Sequence, residues 1–130
     1  MGKEIREKNN INSVDVFFIG DDLSIFHSLK GLSSKLETFL IEKTNFSKNM
    51  TTNNSFFLID DSINNFNEKI SFLHKKNFEN FFILLKKENL RVFEKKHYKI
   101  FLKPLKVFEL HKEISNKISK NIEGREVWKL

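Results

Sequence analysis

Apolar and polar positions switch between two periods along this chain. Residues 14–19 form an apolar run broken only by Asp15, as in a strand buried on both faces. Leu23, Phe26, Leu29 and Leu32 then recur every third residue and predict a helix. Asp21 or Asp22 would cap its start and Gly31 lies near its end. Residues 36–41 predict a second strand, interrupted by Glu37 and Thr38, and the polar stretch 42–54 predicts a loop with one helical turn at 46–50. Residues 55–59 predict a third strand, and Ile63, Phe66, Ile70, Leu73 and His74 follow at helical spacing. A fourth strand is expected over 81–85, a short helix over 88–96 and a fifth strand over 98–102. Val107, Leu110, Ile114 and Ile118 make the longest helical stripe, ending near Lys120. The order βαβαβαβαβα predicts an α/β domain, a parallel sheet with helices on both faces.

This divides the chain into a polar arm (1–13), a domain (14–120) and a tail (121–130). In the tail, Gly124 interrupts the helical stripe and residues 126–130 alternate polar and apolar. Two readings stand: a linker leading into a further effector domain, or a tail folded back on the sheet.

Composition narrows the function classes. The 130 residues suit one domain with a single core. There is no cysteine, which excludes disulfides, thiolate chemistry and a Cys-type zinc site. No apolar run approaches the roughly 20 residues of a membrane span. The charged N-terminus has no apolar h-region, and Arg6 stands where a myristoylation motif has Ser or Thr. A soluble cytoplasmic protein without a membrane role is expected. The net charge is +6, but nearly all of the 23 basic residues are lysines, alanine is absent, and Lys, Asn, Phe and Ile abound. An AT-rich coding sequence imposes that bias, and the lysines are spread out, so the charge reads as a solvated surface and not a DNA-binding face. His27, His74, His97 and His111 lack metal-ligand spacing. The 15 phenylalanines read as core filling.

Three predicted strands end in polar residues that belong together: Asp21-Asp22 after the first, Asp60-Asp61 after the third, and Lys103-Pro104 after the fifth. In a parallel sheet these ends converge, where open α/β sheets bind ligands. Clustered carboxylates are costly to desolvate and recruit a hard cation, most simply Mg²⁺. A lysine beside them would pair with a phosphoryl oxygen. Strand alternation favours Asp60 over Asp61 as the inward carboxylate and leaves Asp61 exposed. The plainer alternatives are that Asp21 and Asp22 only cap a helix and that Lys103-Pro104 is an ordinary turn.

With these residues the chain resembles the receiver domain of two-component response regulators over residues 14–120. The resemblance implies a (βα)5 doubly wound, flavodoxin-like sheet of order 2-1-3-4-5. It implies that Asp60 accepts a phosphoryl group from a histidine kinase or phosphotransfer protein, with magnesium (Mg²⁺) held by Asp21, Asp22, Asp60 and the Ser62 backbone carbonyl, Asp21 mainly through water. It further implies that Lys103 binds the phosphoryl oxygens and that the Lys103–Pro104 bond is cis. The family's dimerisation face, helix 4, strand 5 and helix 5, would include Arg91, Glu94, Lys95 and Val107. DNA would be bound only through a C-terminal effector domain, making the whole a transcription regulator.

The chain departs from the pattern where a receiver reports its state. The hydroxyl residue after strand 4 is replaced by Leu85, and the switching aromatic on strand 5 by Ile100. The loop after Asp60 lacks the customary Pro and Gly, and the span from Asp60 to Lys103 is compact. Three functions are therefore expected in descending order. The first is a phosphoacceptor domain, not a turnover enzyme. The second is a phosphorylation-independent pseudo-receiver acting as an interaction or dimerisation module. The third is a Mg²⁺-dependent phosphohydrolase, whose acid-x-acid signature is missing after strand 1.

Overall fold

In the computed structural model, residues 14–52, 54–89 and 98–129 are described, with side chains up to residue 119. Five strands, β1 (Val16–Ile19), β2 (Ile41–Lys43), β3 (Phe56–Asp60), β4 (Phe81–Lys86) and β5 (Lys99–Lys103), form one sheet. Its order is β2-β1-β3-β4-β5 and every neighbouring pair is parallel. Three α-helices are described: α1 (Leu23–Leu36), α2 (Phe66–Lys75) and α3 (Val107–Lys129). This is the α/β architecture and flavodoxin-like strand order expected above.

The central strands are continuously apolar because helices cover both faces. All five positions of β3 and the first five of β4 are buried. On one face Val16, Phe18, Leu58 and Leu84 pack with Phe26 and Leu29 of α1 and Leu110 and Ile114 of α3. On the other, Ile19, Phe57, Ile59, Ile83 and Leu85 pack with Ile70 and Leu73 of α2 and with Met50. Each such side chain contributes about 1.5–3 kcal/mol by leaving water. Phe56 and Phe82 meet edge to face at 4.6 Å, consistent with phenylalanine as core filling.

Several boundaries differ from expectation. Helix α1 runs through Gly31 to Leu36 and ends at Glu37, which adopts the left-handed conformation (φ 53°). A Cβ at Gly31 would meet nothing within 4 Å, so that glycine costs the helix about 1 kcal/mol of propensity and does not stop it. The second strand is Ile41–Lys43 instead of 36–41, and the turn in the following loop is a 3₁₀ helix, Lys48–Thr52. Residues 87–89 form one helical turn, while the rest of the helix expected over 88–96 lies outside the described residues. Helix α3 continues past Lys120 and Gly124 to Lys129, through residues whose alternation suggests a strand. Among the described residues, no helix is long and apolar enough to cross a membrane.

Candidate functional site

The C-terminal ends of β1, β3 and β5 meet at one edge of the sheet, and the first consequence is at Gly20. A Cβ there would come within 2.6 Å of the Asp60 Cβ. No ordinary side chain fits, so the turn after β1 passes directly over the end of β3. Asp60 closes β3 with its side chain wholly buried, and Lys103 closes β5. The Lys103–Pro104 peptide is cis, as expected.

Lys103 Nζ lies 2.8 Å from Asp60 Oδ1 and 2.7 Å from Asp61 Oδ1. The contact to Asp61 is a hydrogen bond. The contact to Asp60 is an ion pair without hydrogen-bond alignment, so the buried Oδ1 of Asp60 has no aligned donor. The other Asp60 oxygen, Oδ2, accepts the Ser62 N–H at 3.1 Å.

The structure brings Asp61 into the site, contrary to the expectation that it is exposed. Its side chain is only 2% accessible. Besides Lys103, it accepts the Lys86 N–H at 2.8 Å and the Asn89 Nδ2–H at 3.2 Å, both on Oδ2. Asp61 follows the last residue of β3, and the end of β4 and the turn after it supply the donors that enclose it. Burial works to raise the Asp61 carboxyl, yet the hydrogen bonds from Lys103, Lys86 and Asn89 outweigh it and hold the group below the ordinary carboxylate range. Burial likewise works to lower Lys103, and the two carboxylates beside it outweigh that and raise its ammonium.

The first acid pair is placed differently from β3's. Asp22 Oδ1 caps α1, accepting the Ser24 N–H at 3.1 Å and the Ser24 hydroxyl at 2.6 Å. That hydroxyl is the main cause of a lowered Asp22 carboxyl, with a lesser contribution from the Lys103 charge. Asp21 is exposed, and its N–H donates to Ser62 Oγ at 2.8 Å. Sequence reasoning assigned Ser62 only a carbonyl. Its hydroxyl pins the β1 turn to the β3 turn, while its N–H holds Asp60.

As a site for Mg²⁺ the donors fit in kind: hard oxygens, with one buried Asp60 oxygen lacking an aligned donor. They do not converge as they stand. Among the described residues, no three His, Cys, Asp or Glu side chains are grouped to hold a metal ion.

Leu85 lies in β4 and Ile100 in β5. Leu85 is fully buried and packs with Ile59 and Ile83 on the α2 face. Ile100 packs partly buried against the same cluster, as does Tyr98. The Tyr98 ring lies 5.2 Å from Phe81, and burial pushes its hydroxyl up, helped by the Glu79 charge. Val107 is half-buried on the other face, while Arg91, Glu94 and Lys95 lie outside the described residues.

A polar cavity of about 210 Å³ opens beside the acid pair, between Gly20, Asp21, Asn45, Asn64 and Lys69. A larger cavity, about 460 Å³, lies near Asp15, Ser33 and Leu40, at the N-terminal ends of β1 and β2. It is remote from every carboxylate of the site, so size does not mark the chemistry here. Compared with known proteins, the chain matches no family model, no curated protein and no solved structure. Any functional reading rests on the residues themselves.

Proposed function

We propose that the chain is a response-regulator receiver domain of two-component phosphorelay signalling, and that Asp60 is its phosphoacceptor. The observation that carries this is the pairing of a fully buried Asp60 carboxylate, one oxygen without an aligned donor, with Lys103 Nζ at 2.8 Å. They sit at the C-terminal edge of a 2-1-3-4-5 sheet, the usual ligand side of that fold. An Asp60 oxygen attacks the phosphorus of a phosphohistidine or acyl phosphate. A P–O bond forms as the donor's P–N or P–O bond breaks, and the leaving imidazole or carboxylate keeps the electron pair, the imidazole taking up a proton. Lys103 stays protonated and faces the incoming oxygens as a fixed positive charge. Mg²⁺, when bound by Asp22, Asp60, the Ser62 carbonyl and, through water, Asp21, supplies further positive charge against those oxygens.

Beryllofluoride, a phosphoryl mimic, tests the reading. In Mg²⁺-containing buffer it is expected to bind the wild type and not Asp60→Asn, read by ¹⁹F NMR. A wild type that gives no bound fluoride signal rules the reading out.

A second reading is favoured by the aliphatic pair Leu85 and Ile100, which have no polar group to respond to a phosphoryl group. On it the chain is a pseudo-receiver, an interaction module in one fixed state. It predicts a dimer without any phosphoryl analogue and the same dimer in Asp60→Asn. Sedimentation velocity decides; a dimer that forms only with beryllofluoride excludes it.

A further inference from the structure

A receiver that lacks both the hydroxyl and the aromatic switch needs another route from its acceptor to its surface. Lys103 divides its charge between two buried carboxylates, Asp60 Oδ1 at 2.8 Å and Asp61 Oδ1 at 2.7 Å. Asp61 in turn holds the Lys86 N–H and the Asn89 side chain on its other oxygen. Its own N–H donates to the Leu84 carbonyl at 3.0 Å. One carboxylate thus ties together the ends of β3, β4 and β5 and the turn at 87–89. We infer that Asp61 is the coupling residue of this site, a carboxylate that competes with the phosphoryl group for Lys103 and so relays its arrival to the turn after β4. This rests on Asp60 being the acceptor.

The physical basis is a charge count. Two carboxylates and one ammonium leave the triad one negative charge in excess. The phosphorylated side chain carries about 1.5 to 2 negative charges in place of the one on Asp60, a gain of about 0.5 to 1, on oxygens that reach further toward Lys103. Lys103 carries three N–H donors and a flexible stem, so it can turn toward the new anion. Asp61 then faces that anion with its cation withdrawn. A carboxylate only 2% accessible cannot stay so without its counter-charge, and it moves outward toward water. The Lys86 N–H and the Asn89 amide lose their acceptor, and the turn at 87–89 is released. Neither Leu85 nor Ile100 has to move.

The experiment is amide hydrogen exchange on the full chain, with and without beryllofluoride in Mg²⁺ buffer, alongside ¹⁹F NMR to establish binding. In the wild type the Lys86 amide is expected to exchange about tenfold faster in the bound form, the size of one charge-assisted hydrogen bond. In Asp61→Asn the analogue is expected to bind more tightly, because Lys103 has no second anion. The Lys86 amide should then exchange at the same rate free and bound. A bound fluoride signal with unchanged Lys86 exchange in the wild type overturns the coupling while leaving Asp60 as acceptor. An absent fluoride signal overturns both. The wild-type comparison stands by itself if Asp61→Asn does not fold, and weaker binding by a folded Asp61→Asn also counts against competition.

Discussion

Asp60, Asp61 and Lys103 set the energetics of the site as well as its chemistry. Lys103 is 17% accessible and forms ion pairs with two side chains that are 0% and 2% accessible. Removing it strands both carboxylates, so Lys103→Met should cost about 3–5 kcal/mol in urea unfolding. Asp60→Asn should cost less than about 2 kcal/mol, because Lys103 keeps Asp61 and a repulsion between carboxylates is relieved. Equal losses in the two variants would show that Lys103 does not serve both acids. Gly20→Ala should destabilise by about 1–3 kcal/mol, since its Cβ would press on Asp60 at 2.6 Å. An unchanged unfolding midpoint would mean that the β1 turn is not seated over Asp60. The meeting of Asp60 with Lys103 was legible in the sequence because each ends an apolar run. Asp61 and Ser62 were not, because their roles depend on backbone N–H groups from β4 and the β1 turn, far away in sequence.

At the scale of elements, burial decided what could be read. Strands β1, β3 and β4 stand out as apolar runs because both of their faces are covered. Strand β2 lies at the sheet edge with Glu42 and Lys43 exposed, so it gives little apolar signal, and Ile41 alone is buried. The more apolar stretch before it belongs instead to the end of α1 and its connection. Ser33 holds that connection: its carbonyl accepts the Thr38 N–H, and its hydroxyl donates to the Phe39 carbonyl. His111 of α3 docks on the same connection, stacked on Phe39 at 5.2 Å with Nε2 2.7 Å from Thr38 Oγ1. Burial lowers the His111 pKa below its ordinary 6.5. An unfolded chain therefore binds this proton before the folded one does. Stability is full above about pH 6.5 and falls as the pH drops from there toward the lower folded value. Urea midpoints between pH 5 and 7 should decline with acid in the wild type and decline less in His111→Gln. Parallel pH profiles would show that His111 is not held neutral.

Across the whole molecule, topology brings the chemistry together: one crowded polar edge gathers the ends of β1, β3, β4 and β5. The +6 formal charge comes from lysines spaced along the chain. Among the large apolar side chains described, Phe108 at the start of α3 is the most exposed, at 73%. It lies on the last helix, one of the elements of the face expected to dimerise. Phe108→Asp should leave stability within about 0.5 kcal/mol of wild type but abolish any dimer formed with beryllofluoride. A dimer that survives the change in sedimentation places the interface elsewhere. The central claim, that Asp60 accepts a phosphoryl group, is tested most directly by chemical mapping. The protein is incubated with acetyl phosphate and Mg²⁺, reduced with borohydride, which converts an aspartyl phosphate to homoserine, and digested for mass spectrometry. Homoserine at position 60, and none in Asp60→Asn, is the predicted result. An unmodified Asp60, or homoserine at Asp21, Asp22 or Asp61 instead, would contradict it.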